Sequence, residues 1–200
     1  GFQAKQARRR FVTMISQRAK SGFENLLHRC LEESLRTEAH SAWRMEPVAE
    51  PDDINAQRFF MLTVSSYDFR LMVLLHFSSD EASTKYVADS LKLGSTELPL
   101  TRYHDYLAEV GNNFCGAFKR ELGQYFPHLG MSTPNQLGRE SLKHVKSWPI
   151  DHDIHIKALS EEGAEFYGSL YVSSFGELDF DLVLQPKSEE AAEMGALELF

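Results

Sequence analysis

The chain has 200 residues, enough for one domain with a substantial core and short extensions. Hydrophobic residues make up 42% and charged residues 25%, as in an ordinary soluble globular protein. The net charge of −8, from 21 basic and 29 acidic residues, argues against nucleic acid as the main partner.

The charge is unevenly placed. Residues 1–20 carry six Lys/Arg and no acid, so the remaining residues carry −14. Residues 3–20 pattern as a basic amphipathic helix with Phe11, Met14 and Ile15 on one side. Such a helix suits an arm packed on its own domain or on a second subunit; membrane contact and a linker are the sharper readings. Arg8-Arg9-Arg10-Phe11-Val12 superficially resembles a twin-arginine export signal, but Gln17, Arg18 and Lys20 interrupt the apolar core that signal needs. No run approaches the ~20 apolar residues of a membrane span, so a cytoplasmic protein is expected. Gly1 is set aside as a residue left by tag removal.

Ser21-Gly22 is expected to break the first helix, and a second runs from about Phe23 to Thr37 with Phe23, Leu26, Leu27, Cys30, Leu31 and Leu35 inward. Cys30 and Cys115 both fall in apolar helical patterns and read as reduced, buried thiols. Glu46 to Asn55, acidic and holding Pro47 and Pro51, reads as an exposed connection. Residues 59–64 and 69–77 are apolar strands joined by a turn at Ser65 to Asp68, which predicts an antiparallel hairpin. Asp80 to Leu91 is a short helix, and Thr101 is the expected N-cap of a long one ending near Gly123.

That long helix organises the chain. At about 100° per residue, Leu107, Val110, Phe114, Phe118 and Leu122 form a core stripe. Asp105, Glu109, Asn112 and Gly116 gather on the opposite side, within roughly 60° of one another. A merely solvated face would carry long flexible side chains. This one carries carboxylates, a short carboxamide and a glycine that costs about 1 kcal/mol of helix propensity. The glycine leaves room for another surface beside Asn112. Asn113, about 100° round from Asn112, is left off this face.

Beyond it, residues 139–149 are read as one further strand. Three alternating segments follow: Ile154, Ile156 and Ala158; Phe166, Leu170 and Val172; and Leu178, Phe180, Leu182 and Leu184. Glu162-Gly163 and Phe175-Gly176 punctuate them into a meander. The fold class is α+β, with helices against an antiparallel sheet of about five or six strands. The expected domains are a basic extension at 1–21, an α+β body at 22–186 and an acidic tail at 187–200.

Asp105-x-x-x-Glu109-x-x-Asn112, with 21 residues between Asn112 and Pro134, resembles the signature of the CheC/CheX/FliY chemotaxis phosphatases. Leu129 to Pro134 is similar to the short strand leading to that family's proline. One copy of the motif is present, as in CheX and unlike CheC. The resemblance implies a CheC/CheX-like pseudo-twofold architecture and hydrolysis of the aspartyl phosphate on a CheY-like response regulator. Asn112 would orient the attacking water, and Glu109 would pair with a regulator lysine. Asp105 and Gly116 would lie in the partner-binding face. Mg2+ would come with the regulator, since the family pattern gives this chain no cofactor of its own. The alternative is a non-catalytic binding or assembly module in a signalling or flagellar-switch complex, and a homodimer is compatible with either.

Other constellations are weaker. His152 and His155 would point to opposite faces of a strand, against a two-ligand metal site. Cys115 beside Phe114 favours burial over nucleophilic use. Walker, Gly-x-Gly-x-x-Gly and Gly-x-Ser-x-Gly patterns are absent. Tyr167 and Tyr171 with Phe166 could stack on bases, but the acidic body lacks a basic stripe.

Overall fold

The structure is a computed structural model that describes residues 15–94, 97–145 and 147–183. The predicted helix before residue 15, the tail at 187–200 and Leu184 lie outside the described residues. Helix α1 (Gln17–Leu35) starts at an N-cap serine, the Ser16 Oγ accepting from the Ala19 N–H at 3.1 Å. It continues through Ser21-Gly22, so the predicted break does not exist. Gly22 serves a different purpose there. A Cβ at Gly22 would sit 2.8 Å from the Phe180 ring, which packs edge-on against Phe23. The glycine admits that ring at the cost of some helix propensity.

Strand β1 (Trp43–Val48) falls partly in what reads as an exposed loop. It lies at the sheet edge, paired on one side with β6 only, where Pro47 and its missing N–H are tolerated. Strands β2 (Arg58–Ser65) and β3 (Phe69–Phe77) form the predicted hairpin. Helix α2 (Glu81–Ser90) is capped by Asp80. The long helix α3 (Leu100–Leu122) is followed by β4 (Gly130–Met131) and β5 (Asn135–Gly138), which both pair with β2. Residues 139–145 form a 3-10 turn and the short helix α4 (Leu142–Val145), not the expected strand. Strands β6 (His152–Ser160) and β7 (Glu165–Ser174) form a second hairpin. The sheet order is β1-β6-β7-β3-β2-β4, antiparallel throughout, with β5 also on β2.

The third alternating segment is a correction. Leu178 and Phe180 are buried, yet residues 177–183 make no sheet ladder, only a single bridge from Leu178 to Ile15. Their alternation reflects an extended segment lying across the start of α1. Asp179 anchors it, accepting from Ser16 Oγ at 2.5 Å and from both ends of the Arg18 guanidinium.

Helices α1 and α3 lie side by side on one sheet face. They converge on Gly168 in the middle of β7, where a Cβ would meet Leu31 at 3.0 Å, Phe114 at 3.3 Å and Leu27 at 3.5 Å. The main core forms around this point, from Phe23, Leu27 and Leu31 of α1, Leu107, Phe114 and Phe118 of α3, and the inward residues of β3 and β7. No helix among the described residues is long and apolar enough to cross a membrane.

The other sheet face is covered too. Val145 of α4 packs on Phe59, Met72, Leu74 and Tyr171, while Ile54 and Ala56 pack on Tyr167. Between these clusters runs a polar chain across three strands. His155 Nε2 lies 3.0 Å from Asp153 Oδ2, and His155 Nδ1 lies 2.8 Å from Ser169 Oγ. His76 Nε2 approaches the same hydroxyl at 2.8 Å. A serine has one proton to donate, so with ionised Asp153 and neutral imidazoles a single order satisfies all three contacts. His155 Nε2–H donates to Asp153, the Ser169 hydroxyl donates to His155 Nδ1, and His76 Nε2–H donates to Ser169.

Burial, with the neighbouring His155 and Arg139 adding to it, pushes the pKa of His76 down to about 3. Between that value and the ordinary pKa of about 6.5, the unfolded chain binds a proton that the folded chain refuses. Stability contributed by His76 is therefore complete above pH 7 and declines as pH falls toward 3. His76→Gln keeps a donor toward Ser169 but cannot titrate, so the loss of unfolding free energy between pH 7 and pH 4.5 is expected to be shallower than in the wild type. Equal slopes in urea titrations would contradict this. Gly168→Ala is expected to cost about 1–3 kcal/mol, because Leu31 and Phe114 must both move; calorimetry at neutral pH checks it.

Candidate functional site

Pro99, at φ −61° and ψ 142°, fixes the start of α3. Its carbonyl accepts the first helical bond, from Tyr103 N–H at 3.0 Å. Thr101 is therefore already inside the helix and does not cap it, and no side chain does so. The Tyr103 hydroxyl donates to the Ser78 carbonyl at 2.6 Å and ties the helix start to the segment after β3. At the far end Gly123 N–H donates to the Lys119 carbonyl at 2.9 Å, with Lys119 and Arg120 in the last turn, where the helix dipole favours cations.

Between these ends the helix is held by its apolar stripe. Leu107, Phe114, Phe118 and Leu122 are wholly buried and Val110 nearly so. Asp105 and Glu109 are exposed; Asn112 and Gly116 are half-exposed. The four residues therefore share the outward face of one helix. Asn112 Nδ2 donates to Glu109 Oε2 at 3.4 Å, a long hydrogen bond that places amide and carboxylate side by side. At Gly116 no atom lies within 4 Å of where a Cβ would stand, so the surface beside Asn112 is open.

Pro134 lies at an irregularity in the sheet edge. Val64 pairs with Met131, but Met61 pairs with Asn135, so one extra residue is inserted among 132–134. This is a bulge. Within it Ser132 N–H donates to the Thr63 carbonyl at 3.0 Å, and Ser132 Oγ accepts from Thr63 N–H at 2.9 Å. A proline, unable to donate, fits where the ladder lapses. The bulge belongs to the edge beside β2, the strand on which α3 packs.

The structure adds residues that the helical pattern set aside. A groove runs between the end of α1 and α3, lined by Glu33, Ser34, Arg36 and Thr37 on one side and by Tyr106, Glu109, Asn113 and Arg120 on the other. Asn113 is exposed there with Glu109, four residues and so one turn away. Measuring its angle from Asn112 alone hid this; measured from Glu109, the i,i+4 spacing exposes it.

The remaining candidates are occupied otherwise. Both ring nitrogens of His155 are engaged by Asp153 and Ser169. Cys115 is buried, and burial pushes its thiol up to about 12, far from a nucleophilic thiolate at neutral pH. Tyr167 and Tyr171 are buried beneath the cover of the second sheet face and cannot stack on a base.

No protein-family model matches this sequence, and no curated protein matches it in sequence. Solved structures do match in fold. A CheC-like superfamily protein from Shewanella sp. PV-4 superposes with a TM-score of 0.61 at 14% identity, over 76% of this chain and 97% of that one. The chemotaxis protein CheX from Vibrio vulnificus gives 0.58 at 18% identity, over 76% and 99%. CheX in a complex with CheY, BeF3 and Mg2+ from Borrelia burgdorferi gives 0.53 at 12% identity, over 76% and 96%. With two helices laid across a single antiparallel sheet, and nearly the full length of each of these structures covered, the chain has the CheC/CheX fold.

Proposed function

We propose that this protein accelerates hydrolysis of the aspartyl phosphate on a CheY-like response regulator. The observation that carries the reading is the pairing of Glu109 with Asn112 at 3.4 Å on an outward helix face, in a fold that a CheX seen with CheY shares. Acyl phosphates are already activated, so a catalyst needs chiefly to position water and balance charge. The water oxygen attacks phosphorus, the bond from phosphorus to the aspartate oxygen breaks, and inorganic phosphate leaves with the carboxylate restored.

A carboxamide suits the positioning step. The Asn112 oxygen accepts one proton of the water while its NH2 remains a donor, so the water is aimed without being deprotonated first. The short side chain, steadied by Glu109, keeps that amide near the helix surface. Glu109 offers its carboxylate to a lysine of the regulator, a charge-assisted contact that sets docking register. Mg2+, held by the regulator, supplies charge neutralisation at the phosphoryl oxygens. Asp105 extends the acidic face by one turn.

The test is phosphate release from a phosphorylated CheY-like regulator with and without the protein. Asn112→Ala is expected to lower the acceleration by about 100-fold or more, by analogy with loss of one oriented polar group, while binding persists. Glu109→Ala should weaken binding, seen as a raised KM. Hydrolysis unaffected by Asn112→Ala would overturn the proposal, and binding without any hydrolysis would leave an assembly module. Gly116→Ala should stabilise the isolated protein by about 1 kcal/mol, since nothing obstructs the methyl. It should also weaken regulator binding if the helix is approached closely there; unchanged affinity would remove Gly116 from the contact face.

A further inference from the structure

The two flanks of α3 are unlike. Toward β2 the helix is closed: Cys115 is fully buried, and a Cβ on Gly111 would stand 3.6 Å from both Phe60 and Leu62. Toward α1 it opens into the polar groove that Glu109 and Asn113 line. The permanent charges of the groove walls are largely closed on one another. Arg120 lies 3.6 Å from Glu33 and 3.8 Å from Glu121, and Arg36 pairs with Glu32 one turn back. Two groups are left over. Among the described residues Glu109 has only the long bond from Asn112, and the exposed Asn113 amide has no hydrogen-bond partner.

A groove of this kind fits a partner surface that brings one cation together with uncharged hydrogen-bonding groups. A strongly charged segment would have to break the Glu33–Arg120 pair, whereas a loop offering peptide groups beside a lysine would satisfy both leftover groups at once. We infer that the regulator docks across the seam between α1 and α3, with Asn113 and the Ser34 side of α1 as specificity-determining contacts, and not across the bulged β4–β5 edge on the opposite flank. This rests on the regulator-phosphatase reading above and adds to it which side of α3 the partner covers. Asn113 contributes donor and acceptor to the partner's main chain. Ser34, whose hydroxyl proton is given to the Cys30 carbonyl at 2.7 Å, retains acceptor capacity on the facing wall.

The experiment measures KM and kcat for dephosphorylation of a CheY-like regulator by the full chain, together with Kd for the same regulator held active by BeF3 and Mg2+. Three variants are compared: Asn113→Ala, Ser34→Trp, which fills the groove from the α1 wall, and Thr133→Trp on the opposite flank. Unfolding midpoints confirm that each is folded, and Asn113→Ala, at an exposed helical site, carries the test should the bulky variant not fold. The expected result is a KM and Kd raised at least fivefold by Asn113→Ala and at least tenfold by Ser34→Trp, with kcat within twofold of wild type and Thr133→Trp unchanged. The inference is overturned, with the phosphatase reading intact, if hydrolysis still depends on Asn112 while Thr133→Trp raises KM and the two groove variants do not. If the wild type neither binds nor dephosphorylates any regulator offered, the phosphatase reading itself fails.

Discussion

Everything proposed for the outward face of α3 depends on how its inward face is held. Leu107, Phe114, Phe118 and Leu122 are removed from solvent entirely, and Phe114 reaches down to Gly168, where Leu27 and Leu31 of α1 arrive from the other side. Each large apolar side chain buried in this way contributes about 1.5–3 kcal/mol relative to exposure. Rolling α3 by even one residue, about 100°, would expose several of them and drive the polar face into the sheet. The rotation of the helix is therefore fixed by its core, and with it the direction in which Glu109 and Asn112 point.

That rigidity matters because the proposed chemistry is positional. A water-orienting amide has little intrinsic reactivity, and its value lies in arriving at another protein's active site already aimed. Capping and tethering support this. Tyr103 pins the start of α3 to Ser78, and Gly123 closes its end, so Glu109 and Asn112 sit mid-helix away from fraying termini. The opposite sheet face adds support from behind. There the Asp153–His155–Ser169–His76 chain joins β6, β7 and β3, with both ring nitrogens of His155 and Nε2 of His76 engaged.

Much of this was legible in the residues, because the long elements obey strong periods. The stripe from Leu107 to Leu122, the β2–β3 and β6–β7 hairpins and the short helix after Asp80 follow from spacing and turn chemistry alone. What was not legible depended on distant partners. Gly22 reads as a break and serves as a seat for Phe180, more than 150 residues away. Leu178 and Phe180 alternate like a strand because one side of any extended segment can be buried, whether or not a neighbour offers a ladder. Pro47 disguises β1, an edge strand that needs hydrogen bonds on one side only. At the site, the outward placement of Asp105, Glu109, Asn112 and Gly116 was readable from one helix. The groove that brings Asn113 into play required knowing that α1 lies alongside.

The most direct measurement is a structure of this protein with a CheY-like regulator locked in its active form by BeF3 and Mg2+. The account requires the Asn112 amide about 3 Å from the position of an in-line water at the fluoroberyllate, with the Glu109 carboxylate on a regulator lysine. A complex in which the regulator binds elsewhere and leaves that face of α3 in solvent would contradict it.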